Sequence, residues 1–442
     1  MTIPSAKSKR PSLPDHSTSY AYFYRYSGFT LFAKEVDKDI YNEIRQLYIA
    51  PAGRSYKEDF RTFVSQWKTL GRKAEDLELI FSMAKEPQGP VAAVRSATIK
   101  RSGTVVKTLR SLDATREKSD DGKYSVGEVF DEILSVIVPT IIREQSFMME
   151  FLHLSPVAVG KGSFEEFLKS DRTSWMINLE KKRPAELDKS VAKDVFSVME
   201  QLLSWLPDEL VNLIEWCRTA DALQLVTILG VLEKHINEWD DTDQSFVVRM
   251  LNKQHDKLGG LFHRFVEDQV HAIEDMKITA KKRQGVLLMF KIFPGFVDKL
   301  EMQFHSGILS DGLDVRETVN EAYGRVSRTM FDSLQAIAKD TTSHQASVSK
   351  DDDDKEQLNS HISMIENMHF YRDTVDDRGN PVLQDYRKQA QTLFDEHLAL
   401  YLKMVIRRPL GRLVVESFIC IINSRISCRE WKHLSNPIRQ RT

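Results

Sequence analysis

The chain has 442 residues, three cysteines and a net charge of −2, which excludes a bulk electrostatic partner such as DNA and leaves only local patches for such contacts. Hydrophobic residues make up 41% and charged residues 29%, enough for a packed core under charged helical surfaces, and the length allows roughly two to four domains. Cys217, Cys420 and Cys428 show no CxxC spacing, no glycosylation sequon occurs, and the longest apolar run, Ile133 to Ile142, carries a proline; a soluble protein of a reducing compartment is expected, since a membrane span needs ~20 apolar residues.

Residues 1–18 are polar, basic and proline-bearing, without the apolar stretch of a signal peptide, and are expected to be disordered. Residues 19–86 hold N-terminal helices. The segment from Tyr20 to Phe32 is dense in aromatic side chains but nearly free of interleaved basic residues, so core packing or a partner contact explains it better than base stacking. Ser55-x-x-Glu58 reads as a capping box opening a helix with Phe60, Phe63, Val64 and Trp67 on one face. A further helical pattern spans Asp76 to Ala84.

Residues 87–124 show no periodicity and read as a mobile linker. Arg95, Lys100, Arg101, Lys107 and Arg110 make it locally basic; it is either a solvated loop or a contact for an anionic membrane. Central helical bundles are predicted over 125–340. Ser125-x-x-Glu128 caps the first helix, where Val129, Ile133, Val136, Ile137, Ile141, Ile142 and Phe147 imply burial on more than one side and Pro139 predicts a kink. Ser163-x-x-Glu166 caps the next. The GKGS ahead of it lacks both the full phosphate-loop spacing and a preceding strand. Apolar stripes follow at Val191 to Leu206, Leu210 to Cys217 and Leu223 to Ile236.

The clearest helix begins at Leu261. Phe262, Phe265, Val266, Gln269, Val270, Ile273 and Met276 share one stripe, with Arg264, Glu267, Asp268, Glu274 and Asp275 opposite. A basic joint, Lys281, Lys282 and Arg283, leads to a second apolar helix that Pro294-Gly295 should stop. Asp314-x-x-Glu317 caps another with Val315, Val319, Ala322, Val326, Met330 and Ile337 buried. Residues 341–356 read as an acidic loop. Residues 357–416 form an incomplete C-terminal bundle that ends at Arg407, Arg408 and Pro409, and 417–442 is an atypical tail. No fixed repeat and no strand-like alternation is found. Sequential stripes joined by short turns predict an all-α fold, an elongated rod of consecutive antiparallel helical bundles.

Convergent chemistry is missing. His263, Glu267 and His271 share a helical face, but the histidines stand eight apart, roughly 12 Å along the axis, whereas one zinc ion needs them four apart. His361 and His369 repeat the same spacing. No nucleophile elbow or glycine-rich nucleotide loop appears. Lys281, Lys282, Arg283, Arg407 and Arg408 remain as candidate contacts for a phosphate or an acidic partner; the plainer reading is solvated charge at helix C-termini.

EQSFMMEFLHL (144–154), FVEDQVHAIEDMKITAKKRQGVLLMFKIFPGFVDKLE (265–301), LNSHISMIENMHFYRD (358–373) and YLKMVIRRPLGRLV (401–414) resemble the C-terminal region of the Sec-three subunit of the exocyst, in a filamentous-fungal form. The resemblance runs in order over roughly residues 20 to 416. It implies a rod of stacked bundles and a non-catalytic role in tethering secretory vesicles to the plasma membrane before SNARE-mediated fusion. The implied partners are the other exocyst subunits, with a Rho-type small GTPase and SNARE proteins beside them. The implied location is cytoplasmic, peripheral at membrane sites of polarised secretion. It transfers no catalytic, cofactor or metal residue. The family's lipid- and GTPase-binding N-terminal domain is not in this sequence, and after Glu416 the tail departs from the family pattern. An all-helical regulator or effector of a small GTPase is the alternative.

Overall fold

The structure, a computed structural model, describes residues 10–74, 81–82, 124–154, 164, 179, 182–185, 188–276, 285–309, 312–343, 350–376 and 378–406. These residues are all-α. Among them, extended pairing is limited to two isolated bridges, Gly71 with Tyr124 and Pro184 with Thr242. The helices are α1 (Ser17–Tyr24), α2 (Ser27–Val36), α3 (Lys38–Leu70), α4 (Val126–Phe151), α5 (Lys189–Leu202) and α6 (Leu206–Ala220). After a 3₁₀ turn at Ala222–Gln224 come α7 (Leu225–Trp239), α8 (Ser245–Glu274), α9 (Leu288–His305), α10 (Val315–Ser343) and α11 (Lys350–Val375). The last, α12, spans 381–406.

The chain divides into two compact units. The first takes in Met1–Glu78, Met83–Asp268 and Phe296–Asn320. Its centre is α4, against which α1, α2, α3, α5, α6 and α7 all pack. Val129, Phe130, Ile133, Leu134, Val138 and Phe147 of α4 are wholly buried, which accounts for a helix apolar on more than one side. Its start is fixed by the capping box: the Ser125 hydroxyl accepts from Glu128 N at 3.2 Å, and the Glu128 carboxylate accepts from Ser125 N at 2.6 Å. Asp37 caps α3 by accepting from Asp39 N and Ile40 N. Gly53 lets α3 approach α5 closely, because a Cβ there would lie 2.7 Å from the Leu202 carbonyl oxygen.

The second unit comprises Leu79–Ser82, Gln269–Gly295 and Glu321–Thr442. Phe290, Phe293, Phe331 and Tyr371 form its aromatic core, with Phe290, Phe293 and Phe331 each within 6.5 Å of the Tyr371 ring centroid. Asn380 starts α12 by accepting from Val382 N and Leu383 N at 3.0 and 3.3 Å, with Pro381 in the first helical position, where its missing N–H costs nothing.

Several boundaries differ from the sequence expectation. Ser55 does not open a helix; α3 begins at Lys38, and Tyr41, Tyr48 and Ile49 continue its buried face ahead of Ser55. Likewise α8 starts at Ser245 rather than Leu261. Pro294 does not stop α9. A proline in a helix interior costs about 3 kcal/mol, but Met289, Phe290 and Phe293 before it and Phe296, Val297 and Leu300 after it are all buried, each contributing roughly 1.5–3 kcal/mol. Pro51 and Pro139 are also carried inside continuous helices. The acidic stretch 341–356 is not one loop, since α10 runs to Ser343 and α11 starts at Lys350. Order also begins before residue 18, with Arg10 paired to Glu132 at 2.9 Å. Phe81 and Ser82 form a turn instead of helix, and Ser82 N donates to the Gln269 side chain at 3.2 Å. The Ser163 capping box, the linker from 87 to 123 and the tail lie outside the described residues, as does the side chain of Ile337.

Candidate functional site

In the first unit the N-terminal helices are held to α4 by one buried carboxylate. Glu144 is 1% exposed and accepts hydrogen bonds from the hydroxyls of Tyr20 (2.8 Å), Tyr48 (2.8 Å) and Tyr56. Burial pushes the Glu144 carboxyl above its ordinary value, and the three tyrosine hydrogen bonds oppose that rise. Around it Tyr20 stacks on Phe147 and Tyr48 packs beside Phe151. At the end of α4, Tyr41 donates to Leu152 O at 2.7 Å, and His153, with φ of 51°, meets Ser27 at 2.9 Å. The only signal of Glu144 in the sequence is a glutamate on the buried register of an apolar helix, opposite an aromatic-rich segment.

Two further polar anchors lie in this unit. Gln303 accepts from Thr227 N and Oγ1 at 3.0 and 2.7 Å and donates to Leu223 O at 2.9 Å; it thereby satisfies a first-turn N–H of α7 that has no helical partner. Glu233 accepts from Val315 N at 3.1 Å and meets His255 at 2.9 Å, and that hydrogen bond raises the His255 pKa. In the second unit Asn367 accepts from Leu287 N at 2.8 Å and donates to Gly285 O and Ser363 O.

The aromatic N-terminal segment is split by the fold. Tyr20 is 2% exposed, whereas Tyr22, Tyr26 and Phe29 are 54%, 50% and 59% exposed, and Phe32 meets Phe164 with ring centroids 5.5 Å apart. Leu400, Leu402, Val405 and Ile406 of α12 are also exposed. Clusters of exposed apolar side chains are a property of binding surfaces rather than of catalytic clefts.

The histidine candidates are not assembled. His263 lies 3.4 Å from Glu267 and His271 lies 3.2 Å from Glu274, each an exposed pairing along its own helix. His369 pairs with Asp373 in the same way at 2.9 Å. His361 instead faces His397, 36 positions away in sequence, a contact no local spacing could reveal. Among the described residues no group of three or more His, Cys, Asp or Glu side chains is arranged to hold a metal ion, and no helix is long and apolar enough to cross a membrane. Cys217 is buried and its thiol pushed up by desolvation. Lys281, Lys282, Arg283, Arg407 and Arg408 lie outside the described residues.

Comparison with known proteins supplies what the geometry does not. The family described as exocyst complex component Sec3, C-terminal, matches residues 151–427, more than half of the chain. Exocyst complex component 1 of Mus musculus is 20% identical over 427 residues, covering 91% of this chain and 45% of the relative. The Drosophila melanogaster protein of the same name is 22% identical over 420 residues, covering 91% and 43%. That of Dictyostelium discoideum is 26% identical over 212 residues, covering 47% and 22%. The chain thus spans less than half the length of these curated relatives. No solved structure matches. The family match and the all-helical fold agree with each other, the match takes in the motifs at 265–301, 358–373 and 401–414 and the last four residues of that at 144–154, and the chain belongs to the Sec3 C-terminal family of exocyst components.

Proposed function

We propose that this chain is a non-catalytic scaffold subunit of an exocyst-type complex that tethers secretory vesicles to the plasma membrane before SNARE-mediated fusion. The observation that carries this reading is the family match over 151–427, supported by two relatives named exocyst complex component 1 that align with 91% of the chain. Its partners are the other exocyst subunits, and a Rho-type small GTPase and SNARE proteins are the further partners to test. The protein is cytoplasmic and peripheral at sites of polarised secretion. From the sequence motifs alone we infer the filamentous-fungal form of the subunit. Lys281, Lys282, Arg283, Arg407 and Arg408 are proposed contacts for an acidic partner or a phosphate, because clustered cations steer and hold anionic surfaces.

Co-purification of the tagged chain from a fungal lysate, followed by identification of its partners, tests the assignment. Recovery of several exocyst subunits together is expected. Recovery of none of them, with the chain folded by circular dichroism, sinks the scaffold reading. Acceleration of nucleotide release from a Rho-type GTPase by the purified chain would instead favour a GTPase regulator. Reversing the charge of the five basic residues should weaken one of these partnerships, and unchanged recovery of every partner would remove them as a contact.

A further inference from the structure

The last two helices of the second unit bring two imidazoles together. His361 of α11 and His397 of α12 place their Nδ1 atoms 3.0 Å apart, with ring centroids separated by 5.1 Å and planes inclined at 59°. A hydrogen bond between two Nδ1 atoms needs one ring protonated at Nδ1 and the other at Nε2. With both protons on Nε2, two lone pairs would converge on one point between the helices. Zinc–nitrogen bonds of about 2.0–2.1 Å in tetrahedral geometry set two donor nitrogens roughly 3.3 Å apart. The pair therefore needs to open by only a few tenths of an ångström, within reach of small side-chain torsions.

Burial holds both rings below the ordinary imidazole value, and the field of His361 adds to this at His397. Burial thus favours the neutral ring, the state in which imidazole ligates metals. The surroundings differ from those of His263, His271 and His369, each of which faces a carboxylate on its own helix. We propose that His361 and His397 form a two-histidine clamp for a divalent d-block cation of the zinc type, bound through both Nδ1 atoms, completed by water, and tying α11 to α12. On binding, the Nδ1 proton of the donor ring relocates to its own Nε2 through solvent, so both rings stay neutral and no net proton is released. Imidazole donors favour zinc, copper and nickel over magnesium or calcium, which sets the chemical class of the ion.

The full chain, stripped with a chelator and then titrated with zinc by calorimetry, tests the clamp. His361→Gln and His397→Gln remove one ligand each, and His369→Gln is the control for surface histidines. The wild type should take up one equivalent that raises Tm, each clamp variant should bind at least tenfold more weakly without the Tm rise, and H369Q should behave as wild type. X-ray absorption of the zinc-loaded wild type adds a measurement that does not depend on the variants folding; two imidazole scatterers at zinc are expected. Absence of zinc uptake by the wild type, equal uptake by H361Q and H397Q, or a zinc shell without imidazole would each overturn the proposal and leave a plain histidine–histidine hydrogen bond.

Discussion

Glu144 keeps a carboxylate where water does not reach, and the hydroxyls of Tyr20, Tyr48 and Tyr56 stand in for the lost hydration. Replacing Tyr48 with phenylalanine removes one donor while leaving the ring, so a loss of about 1–2 kcal/mol is expected in urea unfolding. The pH dependence has an unusual sign for an acid. Because burial raises the folded-state pKa of Glu144, the native state binds more protons than the unfolded chain between the two pKa values. Stability from this group therefore falls as pH rises through that window and is regained on acidification. Glu144→Gln cannot titrate, so the stability of wild type relative to E144Q should be greater at pH 5 than at pH 8. A difference that stays constant, or grows toward alkaline pH, would show that the tyrosines outweigh burial.

At the scale of elements, two helical glycines should respond oppositely to the same substitution. A Cβ on Gly53 would collide with the backbone oxygen of Leu202 at 2.7 Å, whereas Gly259 of α8 has nothing within 4 Å. Gly53→Ala should cost about 1–3 kcal/mol through overpacking, and Gly259→Ala should stabilise by about 0.5–1 kcal/mol through helix propensity. Thermal melts of the two variants separate these effects, and a shift of the same sign in both would refute the assigned approach of α3 to α5. Helix identity was legible wherever periodicity was strong. The stripes at Val191 and Leu210 are buried, that at Phe262 is buried except for the half-buried Phe265 and Met276, and Ser125 with Glu128 caps α4 as its spacing implies. Helix length was less legible, because prolines at 51 and 294 and the polar stretch ahead of Ser55 carry local signals that burial on either side overrides. Which aromatics of the N-terminal segment are buried was not legible either: Tyr20 and Tyr22 differ only in which side of α1 faces Glu144 and Phe147. The pairing of His361 with His397 depends on how α11 returns as α12, information that lies in the packing of the second unit and not in any window of sequence.

At the scale of the whole molecule the last described helix, α12, carries exposed apolar side chains. Leu402, Val405 and Ile406 share one side of the last turns of α12 and, with Leu400, are 40–52% exposed, and exposed apolar side chains drive association. The purified chain should therefore self-associate, with a sedimentation coefficient that rises with protein concentration. Leu400→Glu with Val405→Glu should make it monomeric without changing its circular dichroism. Monomeric sedimentation of the wild type across the whole concentration range would show that this face is covered or inert. The sequence reading sets the departure from the family pattern after Glu416, but the family match runs on to residue 427, so only 428–442 lies beyond it. Deleting 417–442 tests the reading directly: a tail outside the fold predicts helical content of 20–406 almost unchanged, with Tm shifted by no more than a few degrees. Cooperative loss of helix on that deletion would mean that Phe418, Ile419, Ile421 and Ile422 supply apolar contacts the second unit requires, and the tail would then have to be counted as part of its core.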